Sequence, residues 1–232
     1  MNIIITGASK GLGKAVAAQF ASAKNSLFIC SRNNRELLIV KKEFLQKYPA
    51  CSVEIMAVDL SIKKNVLQFA DWCLQFGVPD IVVNNAGEFI GGNVYNEEDG
   101  TLEKMIEINL YSAYYLTRKL LSEMMKAKRG HVFNMCSIAS LKAYENGGAY
   151  SISKFALAGF SKNLREEMKP YNIKVTAVYP GAAMSDSWRG AGINPKRIME
   201  AEDVAKMIFA ASQLSPQACV EDIILRPQLG DL

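Results

Sequence analysis

The feature that most constrains this chain is a regular alternation of short apolar runs with longer amphipathic segments. The apolar runs, each of strand length, lie at 3–5, 27–30, 53–58, 81–83, 131–135, 173–178 and 223–225. Several are apolar at successive positions, which is typical of a parallel sheet covered on both faces. Segments of helical length and period separate them, at 14–23, 35–48, 65–76, 102–125, 155–169 and 201–213.

This order of strands and helices predicts the fold class. Strand–helix repetition builds a parallel sheet with right-handed crossovers. We therefore expect a Rossmann-type α/β fold, with a doubly wound, seven-stranded parallel sheet and helices on both faces. The 232 residues suit one α/β domain of ordinary size. No linker rich in Ser, Pro or Gly divides the chain, so we assign 1–232 to a single domain.

Charge and cysteine content exclude several classes of protein. The 27 basic and 23 acidic residues give a net charge of +4, and no basic block points to nucleic acid. Five cysteines without a CxxC pair, and a single histidine, His131, argue against a metal site. No apolar stretch approaches the roughly 18 residues of a membrane-spanning helix. We expect a reduced, cytoplasmic protein with no metal, no nucleic-acid partner and no membrane association.

A glycine-rich loop follows the first strand directly. Residues 6–13 read Thr-Gly-Ala-Ser-Lys-Gly-Leu-Gly, and a helix begins there. Glycines let the backbone approach a ligand, and free N–H groups at a helix start attract phosphate. The alternative is a tight packing turn, since the spacing Gly-x3-Gly-x-Gly is not the commoner Gly-x-Gly-x-x-Gly. The predicted cofactor-binding residues of this loop are Gly7, Ser9, Lys10, Gly11, Leu12 and Gly13.

The end of the second strand bears on the kind of nucleotide. In dinucleotide-binding folds an acid at this point binds the adenosine ribose. Here the strand ends in Ser31 and Arg32, with no acid until Glu36. Arg32 and Lys10 would pair with a 2′-phosphate, and Ser31 could donate to it. This corner favours NADP(H) over NAD(H); the alternative is that both basic side chains are ordinary solvated charges.

A tyrosine and a lysine four residues apart form a candidate catalytic pair. Tyr150 and Lys154 share one helix face. Tyrosine has an ordinary pKa of about 10, and we expect the nearby ammonium to lower it toward the range useful for acid–base catalysis. Ser137, at the end of the fifth strand, could offer a hydroxyl to the same substrate oxygen. The alternatives are an exposed helix face for the pair and a helix cap for the serine.

Together these motifs resemble the short-chain dehydrogenase/reductase family in its single-domain form. The resemblance rests on the 6–13 loop, the Asn-Asn-Ala-Gly run at 84–87, Asn109, Ser137 and the Tyr150–Lys154 pair. It implies that Tyr150 is the general acid and that Lys154 lowers its pKa and binds the nicotinamide ribose. It implies further that Ser137 polarises the carbonyl and that Asn109 holds a water behind Lys154.

The same resemblance implies a set of cofactor contacts beyond the glycine loop. They comprise the adenine-contacting pair after the third strand, the turn beside the adenosine ribose, the turn beside the nicotinamide and a hydroxyl for the carboxamide. These residues are Asp59 and Leu60; Asn85, Ala86 and Gly87; Pro180 and Gly181; and Ser185.

The substrate is less constrained by the sequence. The 182–199 segment is a long connection of the kind that forms lids. Expected pocket walls are Ile138, Tyr144, Met184 and Trp188, which suggest a ring-bearing or partly apolar carbonyl; Trp188 could equally be a packing anchor. The tail at 220–232 resembles that of bacterial sepiapterin-reductase-like members, which suggests a pteridine.

We therefore expect an NADPH-dependent reductase, reversible as an alcohol dehydrogenase, that acts on a small and cyclic or aromatic carbonyl. One alternative is an NADP(H) sensor without turnover. Another is a sugar-nucleotide epimerase-like enzyme, although the glycine spacing differs and no substrate domain is present. The wide apolar surface of the 102–125 and 155–169 helices predicts a homodimer or homotetramer, unless that surface is simply buried in the fold.

Overall fold

Seven parallel strands form a single sheet at the centre of the structure, a computed structural model that describes residues 1–23, 25–184, 192 and 194–231. The strands follow in the order β3-β2-β1-β4-β5-β6-β7 across the sheet. All neighbours pair in parallel. Their bounds are β1 Asn2–Thr6, β2 Ser26–Ser31, β3 Ser52–Ala57, β4 Ile81–Asn84, β5 Gly130–Met135, β6 Ile173–Pro180 and β7 Asp222–Leu225. The predicted Rossmann-type sheet is confirmed.

Helices cover both faces of this sheet. Their bounds are α1 Gly11–Ala21, α2 Asn34–Lys47, α3 Lys63–Leu74, α4 Thr101–Ile106, α5 Ser112–Ala127, α6 Gly148–Met168 and α7 Ala201–Ser212. A π-helical turn, Glu107–Tyr111, joins α4 to α5, and short 3-10 turns occupy Ile138–Ser140, Lys169–Tyr171 and Pro195–Arg197. Helices α1, α2 and α7 pack on one face, whereas α3, α5 and α6 pack on the other.

The strand sequences explain the two cores. In β1, Ile3 and Ile5 point into the core formed with α1, α2 and α7, and Ile4 points into the opposite core. All three are at most 1% exposed. Burying a side chain of this size contributes about 1.5–3 kcal/mol, so an apolar residue is favoured at each successive position. This is why the runs read as continuous rather than alternating.

The topology gathers the candidate residues at one edge. The strand order reverses between β1 and β4. In open α/β sheets, ligands bind beyond the carboxyl ends of the strands at such a switch point. The glycine-rich loop leaves β1 at this edge, and the Asn-Asn-Ala-Gly turn leaves β4 beside it.

Two predicted helix boundaries differ from the structure. The amphipathic pattern marks a helix only from residue 155, whereas α6 begins at Gly148 and includes the Tyr150–Lys154 pair that the sequence placed on a helix. The predicted 102–125 helix is interrupted by the π turn at Glu107–Tyr111. Neither difference has a local sequence signal, because hydrophobic periodicity reports a buried face and not the hydrogen bonds that start or distort a helix.

The chain's one histidine, His131, is buried in β5. Its Nε2 lies 2.7 Å from Thr176 Oγ1, and the Thr176 hydroxyl donates to the Val220 carbonyl at 2.5 Å. A hydroxyl has one proton, so the imidazole must donate to Thr176 as the neutral Nε2–H form. Burial, aided by the charge of Lys174, lowers the pKa of His131 to about 3.

This histidine predicts a loss of stability in mild acid. In the unfolded chain its pKa is about 6.5, so the unfolded state takes up a proton first as the pH falls. Stability is then lost progressively from pH 6.5 down to the folded value near 3. We expect the free energy of unfolding to fall by about 2 kcal/mol between pH 7.5 and pH 5, measured by urea titration. His131→Gln should lose most of that dependence; an equal dependence in both proteins would contradict this assignment.

Three further observations concern the described part of the chain. Within it, no helix is long and apolar enough to cross a membrane. Among the same residues, no group of three or more His, Cys, Asp or Glu side chains could hold a metal ion. All five cysteines are free thiols, four of them buried and Cys219 half-buried.

Candidate active site

The glycine-rich loop after β1 brings backbone to the edge of the sheet. Gly7 and Gly11 have φ of +64° and +54°, in the left-handed region that favours glycine. Gly13, in the first turn of α1, packs so closely that a Cβ there would lie 2.3 Å from the Gly7 carbonyl oxygen. Each of these three positions therefore requires glycine, either for backbone conformation or for space.

Two side chains join this loop to the turn after β4. The Thr6 Oγ1 accepts hydrogen bonds from the backbone N–H groups of Asn85 and Ala86, both at 2.9 Å. In return, Asn85 Nδ2 donates to the carbonyls of Thr6 at 2.9 Å and Gly7 at 3.1 Å. The loop and the turn thus form one hydrogen-bonded unit. Thr6 is only 2% exposed, and sequence reasoning gave it no separate role.

At the end of β2, carboxylates engage two of the predicted phosphate-binding side chains. Arg32 Nη2 lies 2.5 Å from Glu88 Oε1. Ser9 Oγ donates to Glu36 Oε2 at 2.9 Å. The sequence interpretation set Glu36 aside as too far along the chain, but the first turn of α2 returns its carboxylate to the glycine-rich loop. Basic and acidic groups therefore share this corner.

The remaining residues of that corner are engaged in local turns. Asn33 caps α2 by accepting from the N–H groups of Arg35 and Glu36, and the Ser31 hydroxyl donates to the Asn33 carbonyl at 3.3 Å. Lys10 is exposed at the N-cap position of α1. Both predicted residues, Ser31 and Lys10, therefore lie at the same edge as Arg32.

Asp59 and Leu60 lie beyond the carboxyl end of β3. Asp59 Oδ1 accepts from the Ser61 N–H at 3.0 Å and from the Ser61 hydroxyl at 2.8 Å. Leu60 is buried in the core beneath α3 and α5. Asp59 therefore orders the turn into α3, and its other carboxylate oxygen, Oδ2, takes no part in these two bonds.

Tyr150 and Lys154 lie in the first two turns of α6, close to the end of β5. Lys154 is 5% exposed, and its Nζ donates to the Met135 carbonyl at 2.8 Å. The Nζ lies 5.8 Å from the centroid of the Tyr150 ring. Burial lowers the pKa of Lys154 to about 8, so the group is still largely protonated at neutral pH.

The pKa of Tyr150 shifts in the direction opposite to the sequence-based expectation. Burial raises it to about 12, and the neighbouring Ser137 hydroxyl offsets this only in part. The expected lowering by Lys154 was wrong for this structure, because the Lys154 ammonium faces the Met135 carbonyl and the tyrosine hydroxyl is desolvated. Tyr150 is therefore held as the neutral phenol.

Ser137 both caps a helical turn and faces Tyr150. Its Oγ accepts from the Ala139 N–H at 3.1 Å, and the Ser137 N–H donates to Ser140 Oγ at 3.2 Å. This is the capping role that the sequence left open as an alternative. The two roles are compatible, since a hydroxyl that accepts from a backbone amide keeps its own proton to donate.

Asn109 lies in the π-helical turn and connects three segments. Its Oδ1 accepts from the Glu88 N–H at 2.8 Å, and its Nδ2 donates to the Glu88 carbonyl at 3.0 Å. The Nδ2 also lies 2.9 Å from Ser153 Oγ on α6. π turns of this kind redirect a side chain and are frequent at functional sites. Asn109 thereby links the turn after β4 to the helix that carries Tyr150.

Two residues that the sequence interpretation missed contact the first turn of α6. The Phe89 ring packs edge-on against Tyr150, with centroids 4.9 Å apart and an interplanar angle of 86°. Glu97 Oε2 accepts from the Ala149 N–H at 3.1 Å and so caps the helix from another loop. Since Glu97 and Ala149 are 52 positions apart, no local motif could have indicated either contact.

The predicted substrate residues are only partly within the described structure. Tyr144 is 46% exposed, and its carbonyl accepts from the Gly147 N–H at 3.1 Å, directly before α6. Ile138 is half-buried at the start of its 3-10 turn, and Met184 is half-buried with its N–H bonded to the Met199 carbonyl. The predicted residues Ser185 and Trp188 lie outside the described residues.

The turn after β6 completes the edge. Pro180 ends the strand, and the Gly181 N–H donates to the Leu225 carbonyl at 2.8 Å. A Cβ on Gly181 would lie 3.2 Å from the Pro227 ring. The structure thus brings Ser137, Tyr150, Lys154 and the turns after β1, β4 and β6 to one edge of the sheet.

Comparison with known proteins agrees with this geometry. The short chain dehydrogenase family matches residues 1–194. The chain belongs to the short-chain dehydrogenase family. It is an oxidoreductase of that family, and the resemblance found in its sequence is confirmed.

Individual members of the short-chain dehydrogenase family are similar over nearly the whole chain. A sepiapterin reductase of Chlorobaculum tepidum is 28% identical, over 99% of this chain and 97% of the relative. A metagenomic short-chain oxidoreductase in complex with NADP has a TM-score of 0.85 at 28% identity, over 98% and 97% of the two chains. An NADPH-dependent reductase involved in bacilysin biosynthesis has a TM-score of 0.88 at 25% identity, over 96% and 95%.

Proposed function

We propose that this protein is an NADPH-dependent carbonyl reductase, reversible as an alcohol dehydrogenase, with Tyr150 as its general acid and base. The observation that carries the proposal is the convergence of two hydroxyls, those of Tyr150 and Ser137, with a buried ammonium, Lys154, beside the turn after β4. These groups supply a proton, a hydrogen bond to an oxygen and a nearby positive charge.

The residues at the edge of the sheet fit a dinucleotide. Space at Gly13 and Gly87 is too small for a side chain, since a Cβ would meet the Gly7 carbonyl at 2.3 Å and Asn109 Oδ1 at 2.7 Å. The first turn of α1 contains no acidic residue to repel a phosphate, and the N–H groups at a helix start favour one. Gly7, Ser9, Gly11 and Leu12 complete this proposed cradle.

Further contacts with the nucleotide are proposed along the same edge. Asp59 and Leu60 would contact the adenine, and the turn at 85–87 would contact its ribose. Pro180, Gly181 and Ser185 would lie beside the nicotinamide.

Three side chains support a preference for NADP(H) over NAD(H). Lys10, at the N-cap of α1, lies at the same edge of the sheet as Ser31 and Arg32 at the end of β2, and a planar guanidinium suits a phosphate. Two of the similar proteins described above are bound to NADP or depend on NADPH. Arg32 is 64% exposed along its side chain and therefore available for a ligand.

The proposed chemistry divides between the cofactor and the chain. When bound, NADPH supplies the hydride that reduces the carbonyl carbon. Tyr150 is protonated at neutral pH, and burial, which raises its pKa to about 12, favours that form further; it donates its phenolic proton to the carbonyl oxygen. Ser137 donates a hydrogen bond to that same oxygen and polarises the carbonyl. Lys154 would bind the nicotinamide ribose.

We propose a small carbonyl substrate with a ring or an apolar part. Phe89, which packs against Tyr150, and Tyr144, which lies just before α6, are 48% and 46% exposed. Ile138, Met184, Trp188 and the 182–199 segment would form the rest of the pocket. The similarity to a sepiapterin reductase supports a pteridine as the first substrate to test.

The cofactor preference is tested by binding. We expect wild type to bind NADPH at least tenfold more tightly than NADH, because a charge-assisted contact to phosphate contributes about 1.5–3 kcal/mol. Arg32→Gln should weaken NADPH binding to a level near that of NADH and leave NADH unaffected. The measurement is titration of nicotinamide fluorescence, and tighter binding of NADH by wild type would refute the preference.

The reaction class is tested by turnover. NADPH oxidation should be followed against a panel of carbonyls that includes pteridines, aromatic ketones and sugars. Turnover of at least one carbonyl supports the proposal. A protein that binds NADPH but oxidises it with none of them is instead a sensor of the cofactor.

We also propose a homodimer or homotetramer through the 102–125 and 155–169 helices. Tyr111 and Phe155 are 43% and 44% exposed in these segments, and Ile152, one turn before Phe155 in α6, is 43% exposed, which gives an apolar outer surface. Sedimentation equilibrium would measure the assembly, and a monomer at micromolar concentration would refute it.

A further inference from the structure

An ion pair crosses the edge of the sheet where we propose that the cofactor binds. Arg32 follows β2, Glu88 follows the turn after β4, and their charged groups are 2.5 Å apart. In the sheet, β1 lies between β2 and β4. Neighbouring strands are about 4.8 Å apart, so the backbones that carry Arg32 and Glu88 are separated by about two strand spacings. Their side chains meet beyond the carboxyl end of β1, where the glycine-rich loop begins.

The two partners differ in how firmly they are held. Reciprocal hydrogen bonds from Asn109 fix the backbone of Glu88 on both its N–H and its carbonyl. The Glu88 side chain is 23% exposed, whereas that of Arg32 is 64% exposed. The Glu88 backbone is therefore held in place and its side chain is the less exposed, so Arg32 is the partner with more room to turn toward another anion.

From this arrangement we propose that Glu88 is a specificity-determining residue for the nucleotide. This rests on the proposed function, in which Arg32 binds the 2′-phosphate of NADP(H). The Glu88 carboxylate competes with that phosphate for the Arg32 guanidinium. NAD(H) has no 2′-phosphate and leaves the ion pair intact. Glu88 therefore lowers the affinity for NADP(H) and leaves that for NAD(H) unchanged. The preference for NADP(H) over NAD(H) is then smaller than Arg32 and Lys10 would give without Glu88.

The first test removes the carboxylate and keeps its shape. Glu88→Gln should bind NADPH about three- to fivefold more tightly, the upper part of the range expected when an ion pair of this exposure no longer has to be broken, and its affinity for NADH should equal that of wild type. Glu54→Gln is the matched control. Glu54 lies on β3, and its carboxylate pairs with Lys41 at 3.2 Å. The substitution removes the same charge there, and the affinities for NADPH and NADH should both stay unchanged.

The second test asks whether the effect acts through Arg32. In an Arg32→Gln background, adding Glu88→Gln should change NADPH affinity less than twofold, because there is no guanidinium left to compete for. An equal gain in both backgrounds would mean simple repulsion and would overturn the competition. Unchanged or weaker NADPH binding by Glu88→Gln alone would overturn it as well. Melting temperatures of all variants verify that each is folded.

A ligand without nicotinamide separates this proposal from the proposed function. Adenosine 2′,5′-bisphosphate carries the phosphate and needs no turnover, so its affinity can be measured by calorimetry. Tighter binding by Glu88→Gln, in a protein that reduces no carbonyl, would support the Glu88 proposal and refute the enzyme. If the protein reduces a carbonyl but Glu88→Gln binds adenosine 2′,5′-bisphosphate no more tightly than wild type, the enzyme is supported and the Glu88 proposal is refuted.

Discussion

Tyr150→Phe is expected to lower kcat for carbonyl reduction by about 10³-fold, within the range found for general acid catalysts. The substitution removes the proton donor and leaves the ring that packs against Phe89. NADPH binding should change less than threefold, since the phosphate-binding edge is untouched. Steady-state kinetics with the best substrate of the carbonyl panel, together with a fluorescence Kd, would measure both effects.

A tyrosine at the other end of the same helix gives the control for this experiment. Tyr171, in the 3-10 turn that follows α6, loses the same hydroxyl in Tyr171→Phe, and kcat should remain within twofold of wild type. If Tyr150→Phe kept more than a tenth of wild-type kcat, another group would have to donate the proton, and the assignment of Tyr150 would be wrong.

Gly13→Ala is expected to destabilise the protein by about 3 kcal/mol, at the upper end of what overpacking costs. The added Cβ would lie 2.3 Å from the Gly7 carbonyl oxygen and 2.4 Å from Asn85 Nδ2. The first of these atoms is backbone and cannot move without displacing the loop. We therefore also expect NADPH binding to be lost, because the loop and the turn after β4 share hydrogen bonds. Equilibrium urea unfolding and the fluorescence titration would measure the two losses.

Gly159 provides the opposite case for comparison. It is exposed within α6, and a Cβ there would meet no atom within 4 Å. Gly159→Ala should stabilise the protein by up to about 1 kcal/mol, because alanine is the better helix former. If Gly13→Ala and Gly159→Ala changed the free energy of unfolding equally, the close approach between residue 13 and the Gly7 carbonyl would not contribute to stability.

The elements and motifs that the sequence predicted depend on local patterns. Continuous apolar runs identified the seven strands, because both faces of the sheet are covered. The glycine loop and the Tyr150–Lys154 pair could also be recognised locally, because the residues of each motif lie within a few positions of one another in the chain. The family resemblance added the order of motifs that are far apart in the chain.

What the sequence did not predict depends on contacts between distant segments. The start of α6 is capped by Glu97, and the Glu36 carboxylate returns to Ser9, although neither pair is close in sequence. The pKa of Tyr150 depends on its burial, which no motif reports. The Arg32–Glu88 pair likewise exists only because β2 and β4 flank β1.

The capping of α6 by Glu97 has a consequence for the order in which the chain folds. The first turn of this helix lacks a side-chain cap of its own, and the carboxylate that serves it arrives with a loop closed over 52 residues. Closing such a loop costs chain entropy before the contact forms. The turn that carries Tyr150 should therefore be among the last parts of α6 to become protected from hydrogen exchange during refolding. The geometry of the proposed catalytic site would then be completed by tertiary docking, after the rest of the helix has formed.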